Sequence, residues 1–174
     1  MFSLNQKVVY PGHGVAEVVR IFERKFSDQV AILCELQFLN KDMTIMVSNE
    51  KAEEIGIRLL SSAHHINDVF ETLLQPATRL DVPAASSNNW NRRNKEYQNK
   101  LRTGSLKDIS EIYRDLKSIA QHKELSFGEK NLLNKTEALL VEEISAAESL
   151  EEEKAMERLR SFFIPEMVMI HKQA

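Results

Sequence analysis

A second cysteine is missing from this chain, and with it any internal disulfide: Cys34 stands alone among 174 residues. A reducing compartment is the economical expectation. Long apolar runs are missing too, none approaching the roughly 18 residues that span a bilayer. The opening Met-Phe-Ser-Leu-Asn-Gln-Lys lacks the layout of a secretion signal. Together these absences predict a cytoplasmic protein with no membrane partner. Excess charge of one sign is absent as well, since 23 basic against 26 acidic residues leave a net charge of -3. Such a chain does not coat nucleic acid indiscriminately, so any nucleic-acid site has to be a local patch. Catalytic constellations are also missing. No nucleophile–base pair, carboxylate pair or phosphate loop stands out, and no catalytic residue, metal or cofactor is expected. Pro11-Gly12-His13-Gly14 lacks the Lys-Ser/Thr ending and following helix of a phosphate loop and reads as a tight turn. His13, His64 and His65 have no further ligands at zinc spacing.

What is present is a globular composition, 43% hydrophobic and 28% charged, long enough for one ordinary domain or two small ones. The first 60 residues read as strands. Lys7-Val8-Val9-Tyr10 is β-branched and aromatic, and residues 15–22 form a second, longer run. The charged and polar residues 23–28 predict a hairpin tip. Residues 30–38 end in alternation, with Cys34, Leu36 and Phe38 on one face and Glu35 and Gln37 on the other. That pattern makes Cys34 a small core residue rather than a reactive thiol. Residues 43–47 give a fourth strand and residues 57–60 a closing one. Five short strands at this spacing predict a small, bent barrel of the SH3 or Tudor type.

From about Ser62 the period changes to that of helices. Ile66, Val69, Phe70, Leu73 and Leu74 recur at helical spacing before Pro76, and this helix is expected to link two parts. A segment poor in large apolar residues then runs to Ser87. A helix from Trp90 to Thr103 ends at Gly104. Ser105 opens the next, with Leu106, Ile109, Ile112, Tyr113, Leu116 and Ile119 as its buried stripe. Ser126-Phe127-Gly128-Glu129 has the form of a capping box, followed by a stripe of Leu132, Leu133, Thr136, Leu139, Leu140 and Ile144. These helices predict a bundle. The acid-rich residues 151–164 predict a loosely attached last helix with a solvated face. The fold class is therefore α+β, a five-stranded barrel followed by an all-helical bundle.

The chain's one tryptophan, Trp90, opens a stretch to Arg102 that carries Arg92, Arg93, Lys95, Lys100 and Arg102 against a single acid, Glu96. Two readings compete. Trp90, Tyr97 and Leu101 share a helical stripe, and tryptophan is mostly buried, so packing under the bundle is the reading that composition favours. Against it, Trp90 follows a polar Ser-Ser-Asn-Asn run and precedes two arginines. A large ring beside cations is a surface suited to DNA, the cations holding phosphates and the ring stacking or wedging. The same residue types also anchor protein interfaces, so an adaptor whose helices bind another protein is the alternative.

Several marks, taken in order, resemble the CarD/CdnL family of bacterial transcription regulators. They are Val8-Val9-Tyr10-Pro11-Gly12-His13-Gly14, Met43-Thr44-Ile45-Met46-Val47, Asn89-Trp90-Asn91-Arg92-Arg93, Ile112-Tyr113-Arg114-Asp115-Leu116 and Leu125-Ser126-Phe127-Gly128-Glu129-Lys130. The resemblance spans residues 4–148. It implies a Tudor-like domain at 1–62 that docks on the RNA polymerase β subunit, a linking helix and loop at 63–87, a helical DNA-binding domain at 88–148 and a C-terminal helical extension at 149–174. It implies that Trp90 wedges into the minor groove at the upstream edge of melted promoter DNA with weak sequence specificity. Arg92 and Arg93 would hold phosphates, with Lys95 and Lys100 as helpers. Polymerase docking would fall to Arg24 and to Thr44, Met46 and Val47, and Met46 departs from the arginine that relatives often carry to contact β. A monomer without cofactor is expected.

Overall fold

The computed structural model describes residues 2–27, 29–77 and 87–164, with side chains of the last stretch described from Trp90 onward. Asp28 at the expected hairpin tip, residues 78–86 of the expected connecting loop and Pro165 with the residues after it lie outside the described residues. The chain divides into two compact units, Met1–Leu60 and Ser61–Ala174.

The first unit is a five-stranded antiparallel sheet. Its strands are β1 (Lys7–Tyr10), β2 (Gly14–Phe26), β3 (Gln29–Phe38), β4 (Thr44–Ser48) and β5 (Arg58–Leu59), with a short helix α1 (Ala52–Ile55) before the last. The order β4-β3-β2-β1-β5 leaves β4 and β5 as the edges of the ladder. The β1–β2 turn closes through the His13 N–H donating to the Tyr10 carbonyl at 3.0 Å, with Gly12 at φ 71°, a left-handed conformation that glycine adopts without Cβ strain. One face of the sheet supplies the core: Val8, Ala16, Val18, Cys34, Leu36, Phe38 and Val47 are buried together with Ala52 and Ile57. Burial pushes the Cys34 thiol above its ordinary pKa, consistent with an inert packing residue. Residues 23–26, part of the 23–28 stretch expected as a hairpin tip, instead continue β2. Arg20 stacks over Phe22 at 4.6 Å and Arg24 over Phe26 at 5.2 Å, so alternate long side chains cover one another along an extended ribbon.

The second unit is helical: α2 (Ala63–Leu74), α3 (Ser87–Thr103), α4 (Leu106–His122), α5 (Phe127–Glu148) and α6 (Glu152–Ser161). Ser62 and Ser105 cap α2 and α4, and Ser126 and Glu129 form the full reciprocal box that starts α5. The buried stripes merge into one core. Ile66, Val69, Phe70 and Leu73 of α2 pack with Tyr97 and Leu101 of α3, Ile112, Tyr113 and Leu116 of α4, and Leu140 and Ile144 of α5. The helix expected to link two parts is thus a wall of the helical unit.

The expectation of a loosely held last helix is corrected. Ala155 and Leu159 of α6 are fully buried. Phe162 stacks on Phe70 at 5.3 Å, and Phe163 meets Tyr113 edge-on at 5.5 Å. Arg160 grips Glu137 through two bonds of 2.6 and 3.1 Å, while the Tyr113 hydroxyl donates to the same carboxylate at 2.6 Å. Burial would raise the Glu137 carboxyl, but these bonds and the nearby Lys117 charge hold it below the usual range. Burial, reinforced by Glu137, drives the Tyr113 phenol far upward, so it remains a donor. The acids that suggested a solvated helix lie on its outward face, and the grip comes from the few residues between them. Next to Tyr113, the buried Arg114 donates to Asp115 at 2.8 Å and to the Thr72 carbonyl at 3.4 Å, tying α4 to the last turn of α2.

Candidate nucleic-acid interface

The site is built where the start of α3 meets the start of α5. On a helix, residues three and four apart share a face. Trp90, Arg93, Tyr97, Lys100 and Leu101 accordingly form one stripe, turned toward α4 and α5. Arg92, Lys95, Asn99 and Arg102 form the opposite stripe, and all four are exposed. Trp90 is half-buried and packs against the helical core. Its six-membered ring rests on Gly128 in the first turn of α5. A Cβ placed on Gly128 would lie 3.0 Å from Trp90 Cζ2 and 3.4 Å from Cε2, inside the 3.5–4.0 Å at which carbon atoms pack best. The glycine is what lets the indole lie flush on the helix. Trp90 is neither fully presented nor sealed: one side has a floor and part of the ring stays open.

The floor is held by Glu129, which is almost wholly buried. Its carboxylate accepts from the Ser126 amide at 2.9 Å, from Arg93 Nη2 at 3.0 Å and from Lys123 Nζ at 3.4 Å. Burial would raise the Glu129 pKa, but the Ser126 bonds and the Lys123 charge outweigh it and keep the group ionised below its ordinary value. A capping carboxylate therefore doubles as a clamp between α5, α3 and the loop before α5.

Among the expected DNA contacts, Arg92 and Lys95 face solvent, and Arg92 pairs loosely with Glu96 at 3.7 Å. Arg93 and Lys100 turn inward. Only 13% of the Arg93 side chain is exposed and its guanidinium holds Glu129, while Lys100 is paired with Glu111 of α4. Their position on the Trp90 stripe is the cause, and the spacing of the residues already carried that information. Three features escaped the sequence reading: Phe127, 82% exposed, and Lys123 and Lys130 flanking it. Phe127 falls off the apolar stripe of α5, which is the signal that could have found it.

In the first unit, strand register decides which of the expected docking residues are presented to solvent. Residues paired across an antiparallel ladder share a face. Met46 pairs with Glu35 and Glu35 with Arg20, while Arg24 pairs with Ala31, so Arg24, Thr44 and Met46 lie on one face. All three are exposed. Val47 pairs with Cys34, and its side chain is buried in the core at 7% exposure. It cannot offer a side-chain contact, and the ladder phase fixed by the Phe38 N–H to Met43 carbonyl and Asn49 N–H to Ile32 carbonyl bonds turns its main chain toward Cys34 as well. Among the described residues no cluster of His, Cys, Asp and Glu is arranged to hold a metal ion, and no helix is long and apolar enough to cross a membrane.

The two units coincide with two known domains. Residues 2–61 match the CarD-like/TRCF RID domain, and residues 68–160 match the CarD C-terminal domain. The chain is also similar to a Bacillus subtilis (strain 168) protein named "Putative transcription factor YdeB", 23% identical over 154 residues that cover 88% of this chain and 97% of that protein. Matched in both of its units and in their order, the chain belongs to the CarD family and is a CarD-like transcription regulator with an RNA polymerase-interacting domain.

Proposed function

We propose that this regulator docks on the polymerase β subunit through the Arg24, Thr44 and Met46 face of its first unit, and stabilises melted promoter DNA with Trp90. The observation that carries this reading is the indole seated on Gly128 at the front of α3. The ring stays half exposed, and the opposite stripe of the same helix carries the exposed Arg92 and Lys95. A ring inserted at the edge of the bubble compensates for lost stacking, which costs a few kcal/mol per step. Cations on the outer stripe of α3 hold the adjacent phosphates, with Lys130 and Lys123 at the start of α5 as further positive charge. Arg93 acts differently from the phosphate-holding role implied by resemblance: through Glu129 it positions the floor under Trp90. Attachment to polymerase raises the effective concentration of the helical unit at the promoter, so a weak DNA contact suffices. Because the ring favours melted over closed DNA, it shifts that equilibrium by its differential affinity alone.

The test is the lifetime of the open complex formed by purified polymerase. Trp90→Ala is expected to bind polymerase normally yet to shorten that lifetime roughly 5- to 100-fold relative to wild type, the range of ~1–3 kcal/mol for one ring–base contact. Equal lifetimes remove Trp90 from the mechanism. Binding of promoter fragments across a salt series separates this reading from a protein–protein adaptor, because phosphate contacts make affinity fall steeply with salt.

A further inference from the structure

We infer that Phe127 is a second base-contacting ring, which stacks on an unpaired base next to the one met by Trp90. The inference rests on the promoter-DNA reading above and deepens it from one aromatic contact to two.

Phe127 is the most exposed large apolar side chain among the described residues, at 82% against 58% for Val30. Nothing local explains it. As the first residue of α5 it takes no part in the capping box, whose polar work is done by Ser126 and Glu129. The hydrophobic staple of a helix start uses the residue before the cap, here Leu125, which is buried. Burying a phenyl ring is worth about 1.5–3 kcal/mol, and here that gain is left untaken. Phe127 is absent from the residues packed on the helical core, whereas its neighbour Gly128 carries the Trp90 indole. Both aromatic residues are therefore placed at the first turn of α5, Trp90 seated on Gly128 and Phe127 exposed on the residue before it.

The surroundings name the occupant. At the start of α5 lie Lys123 and Lys130, with Arg93 reaching in from α3, against Glu124 and Glu129. Lys130 is paired with Glu124 at 2.8 Å, but that pair is on the surface, and half of the lysine side chain stays exposed. The excess is positive, as a polyanion requires, and a phenyl ring has no hydrogen-bonding group with which to read a base edge. What it offers is a face, and every unpaired base has one. A protein partner would be expected to meet a bare ring with an apolar surround. This ring is instead set among lysines, which suits single-stranded DNA at the margin of the bubble.

The experiment uses the full-length chain with polymerase on a promoter carrying 2-aminopurine singly at successive positions along the upstream edge of the melted region. An aromatic ring stacked on unpaired 2-aminopurine quenches its fluorescence. The expected result is one position whose quench is lost in Phe127→Ala and kept in Phe127→Tyr, different from the position lost in Trp90→Ala, with open-complex lifetime falling about tenfold in Phe127→Ala. Thermal unfolding of Phe127→Ala should match wild type, since the ring supports nothing in the fold. If Phe127→Ala keeps every quench while Trp90→Ala loses one, the second ring is refuted and the promoter-DNA reading stands. If neither variant loses a quench, both fall.

Discussion

Replacing Glu129 with glutamine tests the clamp beneath Trp90. The amide still accepts from the Ser126 N–H, because glutamine serves the third position of a capping box as well as glutamate does. What disappears is the negative charge facing Arg93, whose side chain is 13% exposed. Removing one partner of a buried ion pair costs about 3–5 kcal/mol. Arg93 keeps some access to water, so about 2–3 kcal/mol is expected for Glu129→Gln. Arg93→Met leaves Glu129 with Lys123 and the Ser126 amide and should cost about 1–2 kcal/mol. The double variant removes both charges, and also the Arg93 Nε, which has no hydrogen-bond partner among the described residues. It should lie within about 1 kcal/mol of the better single variant, giving a coupling near 2 kcal/mol. Urea unfolding is the assay, and Trp90 itself is the probe. It is the chain's lone tryptophan and sits on the residue next to Glu129, so its fluorescence follows the helical unit alone. A coupling below about 0.5 kcal/mol refutes the claim that the two helix starts are held together by this pair.

Gly128→Ala sets two effects against each other. Alanine favours the helix by about 1 kcal/mol, whereas its methyl group pushes the indole back by roughly 0.5–1 Å. Unfolding free energy should change by less than about 1 kcal/mol while open-complex lifetime drops toward that of Trp90→Ala; unchanged lifetime shows that the seat is unimportant. Leu159→Ala should cost about 2–5 kcal/mol in the helical unit, as for a fully buried leucine. A loss under 1 kcal/mol in urea unfolding returns α6 to the status of an appendage. Acid should loosen the helical unit specifically. Glu129 and Glu137 have depressed folded pKa values, so their stabilisation is complete above the ordinary carboxyl value of about 4.3 and is lost as pH falls through the lower folded values. Urea midpoints followed by Trp90 should be flat from pH 7 to 5 and fall below about pH 4.5, and Glu129→Gln should flatten part of that fall.

Local rules carried much of this architecture. Alternation placed Cys34, Leu36 and Phe38 inside the sheet, and the capping box at Ser126 marked the start of α5 to the residue. Side-chain pairs between distant segments were not legible. The charges at 23–25 looked like loop because each, taken singly, favours water. Their pairing with residues 30–32 of β3, with Arg24 stacked over Phe26, makes them strand. Residues 151–164 looked solvated because acids outnumber apolar side chains there, yet two small contacts, Ala155 and Leu159, plus the aromatic pair that follows, decide the packing. At the candidate site the sequence singled out Trp90 and ranked Arg92 and Arg93 together as phosphate holders, with Lys95 and Lys100 as helpers. Helical phase sorts them: positions 93 and 100 fall on the tryptophan's own face and become internal partners, while 92, 95 and 102 stay outside. The capping role of Glu129 was legible in its spacing from Ser126, but its burial against Arg93, 36 residues away, comes only with folding.

A tool that separates stacked layers works only if its backing yields less than they do. Side chains give way by turning about their bonds; main chain in the first turn of a 22-residue helix does not. By resting the indole directly on the peptide backbone at Gly128, with no side chain between, the fold removes the softest component from the line of force. Under the proposed function, any recoil then falls to the nucleic acid.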